Sequence, residues 1–460
     1  MPLLKGTSHI NDRGVLTIGG VAADRLAERF GTPLFVYDEA LIRERVRTFH
    51  RVLQAEGVDY DVAYACKAFC IRAMVELAQE EGLSLDVVSG GELYTAFISG
   101  FPPERIHFHG NNKSVEELEL ALQAGVGTII VDNFVELERL AALIREGTCS
   151  RQGQPVNVLL RMTPGVHADT HAYISTGQED SKFGFDLGSG QVAEAIRRVQ
   201  EIPELRLTGL HMHIGSQIFS AAGYLAAVER LLGALPSLPQ FSFDVLNLGG
   251  GFGIAHTEAE DAPPIETLLL DIVRGVKARF ADAGYALPAL WFEPGRSIVG
   301  EAGWTLYRVG SIKDLPGVRR YVAVDGGMSD NIRPALYGAR YTALLANRAR
   351  EAATETVTVA GKLCESGDVL IEAADLPPVR PGDLIAVPAT GAYAFAMSSN
   401  YNRLPRPAVV FVRNGKARLV VRRETYADVV RFDRSLSADD EGSEDEASDD
   451  VGAFLKGEWG

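Results

Sequence analysis

The chain has 460 residues, 46% of them hydrophobic, and carries 61 acidic against 45 basic side chains, for a formal net charge of −16. This length predicts two lobes or one large barrel with an addition, and the charge argues against the basic face of a nucleic-acid-binding protein. No run reaches the roughly 18–20 apolar residues of a membrane span, and the opening "MPLLKGTSHINDRG" lacks a secretory core, so a cytoplasmic protein is expected.

In chain order, residues 1–33 contain "GVLTIGGV", a short alternating run of β character. The next segment, 34–300, repeats one pattern: an apolar, β-branched run, a polar or glycine-rich turn, then helical periodicity. The runs are 61–66 "DVAYAC", 85–88 "LDVV", 106–109 "IHFH", 128–131 "TIIV", 157–162 "NVLLRM", 207–213 "LTGLHMH", 244–248 "DVLNL" and 290–293 "LWFE", eight in all. Helical stretches between them include 71–81, 114–124 and 190–201, the second opening on Ser114 with Glu117 three residues on, the signature of a capped start.

Strands alternating with helices imply a parallel sheet, and eight units fit a (β/α)8 barrel better than an open doubly wound sheet. From about 301 to 435 the texture changes to short alternating runs such as "YVAVD" and "AVVFVRNGKARLVVRRE", the latter a hairpin turning at Asn414-Gly415. Residues 1–33 and 301–435 are therefore expected to build one mostly β domain from both ends of the chain. The last stretch, 436–460, includes "SADDEGSEDEASDD", with eight acidic residues and no basic one, and is expected to be disordered.

The chemistry-bearing residues fall at or just past strand ends, and a barrel keeps its active site on that face. Lys67 stands at the tip of the first run, in "AYACKAF", where a cation is out of place in a core. "NLGGGFGI" (247–254) offers glycines that let backbone N–H groups close on an anion such as phosphate, or merely a tight turn. "HMHIGSQ" (211–217) places two histidines alternately. No third metal ligand stands at suitable spacing, so no metal is expected; His211 reads as a satisfied core histidine, and His213 as a ring able to lie against a planar ligand.

"FEPGRSIVG" puts Glu293 at a strand end, where burial demands a positive partner, either an arginine or a pyridinium nitrogen. "KLCESGD" supplies Cys364 and Glu365, and "DNIRPALYGARY" supplies Arg333 and Tyr337, each a weak signal alone. Cys66, Cys70, Cys149 and Cys364 lack paired zinc spacing and are read as reduced thiols. One ligand satisfies the lysine, the glycines and the carboxylate together: pyridoxal 5′-phosphate, with a carbonyl for the lysine, a basic ring nitrogen and a phosphate.

These residues resemble a known family, the barrel-type pyridoxal-phosphate-dependent decarboxylases related to ornithine decarboxylase, and most closely its diaminopimelate decarboxylases. The likeness runs from about Phe35 to Tyr426 through "YACKAF", "DVVSGGEL", "HGNNKS", "TPGVHADTHAYISTGQEDSKFGF", "HMHIGSQ", "LNLGGGFG", "EPGRSIVGEAG", "MSDNIRPALYGA", "CESGD" and "GAYAFAMSSNYN".

The resemblance implies that Lys67 binds the cofactor covalently, that His213 stacks on its ring, and that Ser216, Gly251 and the backbone from Glu293 through Gly295 to Arg296 hold the phosphate. It makes Glu293 the partner of the ring nitrogen. Arg296, Arg333 and Tyr337 correspond to substrate ligands, Glu365 to the partner of the distal ammonium, Tyr393 to a contact of both cofactor and substrate, and Cys364 to the proton donor. The implied activity is decarboxylation of meso-2,6-diaminopimelate to L-lysine, in a homodimer that shares its active sites. The alternative is a decarboxylase of the same fold acting on ornithine, lysine or carboxynorspermidine. One departure stands out: Phe69 occupies a position where the family usually has Asn.

Overall fold

The computed structural model describes residues 4–148, 154–166 and 181–436. Cys149, residues 167–180 of the long central motif and the acidic run 437–450 lie outside them.

Eight short strands form the barrel: β1 Tyr60–Ala65, β2 Ser84–Val87, β3 Ile106–Phe108, β4 Thr128–Val131, β5 Val156–Thr163, β6 Leu205–His211, β7 Val245–Asn247 and β8 Ala289–Phe292. Each pairs in parallel with the next, β8 pairs with β1, and the ring closes with no free edge. These are the eight runs found in the sequence. The strands are buried on both faces, as their near-continuous apolar composition requires. Ile130, Leu159 and Val245, from β4, β5 and β7, share one core cluster against which Trp291 of β8 packs.

The helices follow the strands as read. Arg72–Glu80 and Gln191–Gln200 form as expected, and Val115–Ala124 starts at a full capping box: the Ser114 hydroxyl accepts from the Glu117 N–H while the Glu117 carboxylate accepts from the Ser114 N–H. Such a cap stabilises a helix by about 1 kcal/mol and fixes where it begins.

The chain divides into two compact units, Val46–Gly253 with Ala262–Ser297, and the remaining described residues up to Arg45, at Ile254–Asp261 and from Ile298 onward. In the second unit the long strand Gly303–Leu315 pairs antiparallel with Leu34–Asp38, Arg319–Val324 and Leu384–Val387. Leu34–Asp38, placed by the sequence reading at the start of the barrel segment, runs parallel to Ala408–Arg413 in this sheet. The expected hairpin forms between Ala408–Arg413 and Lys416–Val421, with positive φ at Asn414 (51°) and Gly415 (73°) as the two-residue turn demands. His9–Ile10, Leu16–Ile18 and Val21–Ala22 make a separate three-stranded sheet whose Leu16 and Ile18 share a core with Leu34, Val36, Trp304 and Val410.

Candidate active site

Because all eight barrel strands run the same way, the residues after each strand collect on one face. Lys67 lies just past β1 in the one-turn 3-10 helix Cys66–Ala68; it is exposed, whereas Cys66, Ala68 and Phe69 are buried. The turn is held from below, since the Tyr64 hydroxyl donates to the Phe69 carbonyl at 2.8 Å. Phe69 thus fills core space, and the backbone bearing Lys67 is fixed by packing.

After β7 the chain makes the glycine turn. Gly249 and Gly251 have φ of +70° and +105°, and a Cβ on Gly251 would stand 2.5 Å from the Gly215 carbonyl oxygen. Side chains are excluded there by backbone strain and by space. His213, two residues past β6, accepts from the Gly250 N–H through Nδ1 at 3.2 Å. Burial first, then the positive fields of Lys67 and Arg161, holds its pKa well below the usual histidine value, so the ring is a neutral imidazole with its proton on Nε2. Ser216 accepts from Arg296 Nη2 at 3.0 Å, the arginine lying just after β8 and almost wholly buried.

Glu293, the first residue past β8, is 6% exposed. Asn247 Nδ2 donates to its Oε1 at 2.6 Å, and His211 Nε2 lies 3.1 Å from its Oε2. His109, just past β3, brings Nε2 to 2.8 Å from Oε1, and the same nitrogen is 3.8 Å from Asp86. Burial alone would raise the Glu293 pKa, but the two histidines beside it, His109 and His211, outweigh burial and hold the group well below the usual carboxylate range.

The sequence reading of His211 as a core histidine with its hydrogen bond made holds, since it is buried and bonded to Glu293, but ring closure gathers more around that carboxylate than spacing along the chain suggested. His109, His211 and Glu293 bring their side-chain donor atoms within 4.8 Å of one another, while His213 serves the glycine turn. Spacing along the chain could not show this grouping, because the ends of β3, β6 and β8 supply one member each. Sequence reasoning also passed over Glu92, whose Oε2 accepts from the Val88 N–H at 2.7 Å and whose pKa is raised to about 7 by burial and by Asp86, against the opposing field of Lys67.

The second unit gathers another set. Arg333 is 7% exposed, its Nε donates to the Tyr341 hydroxyl at 2.9 Å, and its guanidinium carbon lies 5.5 Å and 5.9 Å from the ring centres of Tyr337 and Tyr393. Tyr393 adopts φ of +60°, strained for a bulky residue. Cys364 and Glu365 stand exposed side by side, with the Cys364 N–H donating to Asn402 Oδ1 at 2.8 Å.

The barrel rim suits pyridoxal phosphate on its own geometry. It has an exposed amine for an aldehyde, an ionised buried carboxylate for a ring N–H, a neutral imidazole beside them, and a glycine cradle with a hydroxyl and a guanidinium for a dianion.

The family model described as "Pyridoxal-dependent decarboxylase, pyridoxal binding domain" matches residues 39–300. The chain is 57% identical over 433 residues to the diaminopimelate decarboxylase of Bacillus subtilis, covering 94% of this chain and 98% of that one. It is 46% identical to the Staphylococcus aureus enzyme of the same name, covering 92% and 99%. The crystal structure of the diaminopimelate decarboxylase of M. jannaschii in complex with L-lysine superimposes with a TM-score of 0.83 at 34% identity, over 93% of this chain and 98% of that one. A family match over more than half the chain and these full-length identities agree with the rim, and the chain belongs to the diaminopimelate decarboxylases, within the pyridoxal-dependent decarboxylase family.

Proposed function

We propose that the chain removes one carboxylate from meso-2,6-diaminopimelate, releasing carbon dioxide and L-lysine, as the last step of lysine biosynthesis in the cytoplasm. The observation that carries this reading is the pairing, on one barrel face, of an exposed Lys67 with a buried Glu293 kept ionised. Pyridoxal phosphate, when bound, supplies the electron sink for the pair left behind when the carboxylate departs, and an ionised partner at its ring nitrogen strengthens that sink.

The chain's own residues do the rest. Lys67 Nζ would hold the cofactor's aldehyde at the barrel rim. His213 packs against the ring as a neutral imidazole and so adds no second cation beside Lys67. Ser216, Gly251, Gly295 and Arg296 hold the phosphate, and Tyr393 touches cofactor and substrate. Arg296 and Arg333 bind the carboxylate that is not lost, with Tyr337 beside them, and Glu365 meets the distal ammonium. Cys364 Sγ holds the proton delivered to the α-carbon after carbon dioxide leaves. The working unit is a homodimer in which the exposed Cys364-Glu365 segment of one subunit completes the site of the other.

Incubation with meso-diaminopimelate, following carbon dioxide and lysine with and without added pyridoxal phosphate, tests the whole reading. Equimolar lysine and carbon dioxide that depend on the cofactor support it. Faster release from ornithine or lysine assigns the chain to the alternative substrates.

A further inference from the structure

We propose that His211 and Asn247 are positioning residues for the cofactor's ring nitrogen: they fix the Glu293 carboxylate in its ionised form and leave it acceptor capacity for one more N–H, so the shared proton stays on the ring. The inference rests on the reading above, that pyridoxal phosphate sits at this rim.

An ionised carboxylate only accepts hydrogen bonds, through about four lone-pair positions. Two are taken by aligned donors, Asn247 Nδ2 at 2.6 Å on Oε1 and His211 Nε2 at 3.1 Å on Oε2. His109 Nε2 stands 2.8 Å from Oε1 but off the hydrogen-bond axis, so it takes up no aligned acceptor position. Acceptor capacity is therefore left over, enough for one further donor.

The identity of the two donors matters more than their number. Asn247 is fully buried, and its Oδ1 accepts from the Gly249 N–H at 2.9 Å, which forces the amide's NH2 end onto Glu293. A single side chain thus ties the glycine turn to the carboxylate. His211 is 1% exposed, and burial pulls its pKa to about 4 despite the opposing field of Glu293. At neutral pH it is an imidazole with its one proton on Nε2, facing Glu293.

A protonated histidine would share its proton and cancel the charge that the ring nitrogen needs. A neutral donor lowers the proton affinity of Glu293 without cancelling its charge. Asn247 cannot ionise at all. Among the described residues, the other charged or titratable groups that act on Glu293 include His109, Asp86 through His109, Arg161 and His213.

The test uses the holoenzyme loaded with pyridoxal phosphate carrying nitrogen-15 in its ring, whose resonance reports the ring proton directly as pH is varied. In His211→Phe and in Asn247→Leu the ring should lose its proton at a pH lower by about one unit or more than in wild type. The same variants should lower kcat about 10–100-fold while KM for diaminopimelate moves less than about threefold, the split expected when a charge-stabilising donor is removed. His211→Gln, which returns an N–H at similar reach, should recover both quantities.

An unchanged ring titration in the two donor-free variants overturns the proposal, as does a Gln variant that behaves like Phe. Should His211→Phe fail to fold, Asn247→Leu decides alone. A wild-type protein that takes up no pyridoxal phosphate overturns the underlying reading instead, and the ring resonance separates the two failures.

Discussion

The barrel rim and the Arg333 cluster treat their charges in opposite ways. At the rim, His109, His211 and Asn247 are buried and each meets Glu293, so the charge is set before any ligand arrives. In the second unit's set, Arg333 is buried against Tyr341, while Cys364 and Glu365 are exposed. The contrast follows from the tasks proposed for them. A carboxylate that tunes a ring nitrogen acts through a fixed field and gains from rigid strand ends, whereas groups that grip and protonate a substrate must be open to its arrival and departure.

Breaking each region separately should give different signatures. Lys67→Ala should cost at least about a thousandfold in turnover and abolish the visible absorbance of the lysine-bound cofactor, since both depend on one amine. Wild-type-like carbon dioxide release from that variant would remove Lys67 from the chemistry. Cys364→Ala should keep the absorbance and lose about 10²–10⁴ in kcat, the usual contribution of a positioned proton donor. A loss of cofactor binding in that variant would erase the division of labour between the two regions.

Arg333→Ala sharpens the comparison on the substrate side. An arginine built to meet a carboxylate discriminates by about 2–5 kcal/mol, so kcat/KM for diaminopimelate should fall roughly 30-fold or more. Lysine, offered as a poor substrate without the distal carboxylate, should lose little. Equal losses on both substrates would leave the buried guanidinium with a packing role against Tyr337 and Tyr393.

How far the sequence could be read depends on how local each signal is. The eight strand runs, the capping box at Ser114 and the Asn414-Gly415 turn are written in consecutive residues, and each formed where expected. Leu34–Asp38 is as apolar and as fully buried as a barrel strand, and nothing within it tells which sheet will take it up. Glu293 asked for a positive partner, and the sequence offered an arginine or a pyridinium. The chain's own answer is two histidines and an amide from three other strand ends, a grouping that only ring closure creates. Glu92 was hidden for a different reason. It sits in the first turn of helix Gly90–Ile98, where an acid is ordinarily explained by the helix dipole alone.

Glu92 gives the subtlest of the expected effects, and one that separates the rim from the exposed cluster by pH. Its pKa in the folded protein is raised to about 7, by burial and by Asp86, with Lys67 pulling the other way. A group whose folded pKa lies above its unfolded one stabilises the fold fully only below the unfolded pKa, near 4.3 for glutamate, and the contribution is lost as pH rises through the folded value. Stability should therefore decline between about pH 4 and 7 through this group. Glu92→Gln keeps an oxygen for the Val88 N–H but cannot ionise, so it should melt close to wild type at pH 5 and a few degrees above it at pH 8. Removing the neighbouring cation sharpens the point. In the Lys67→Ala background the folded pKa of Glu92 should climb further, so the gain from Glu92→Gln at pH 8 should widen. A gain that is the same with and without Lys67 would mean that the two side chains do not share a field, and that the rim is less tightly coupled than its buried carboxylates imply.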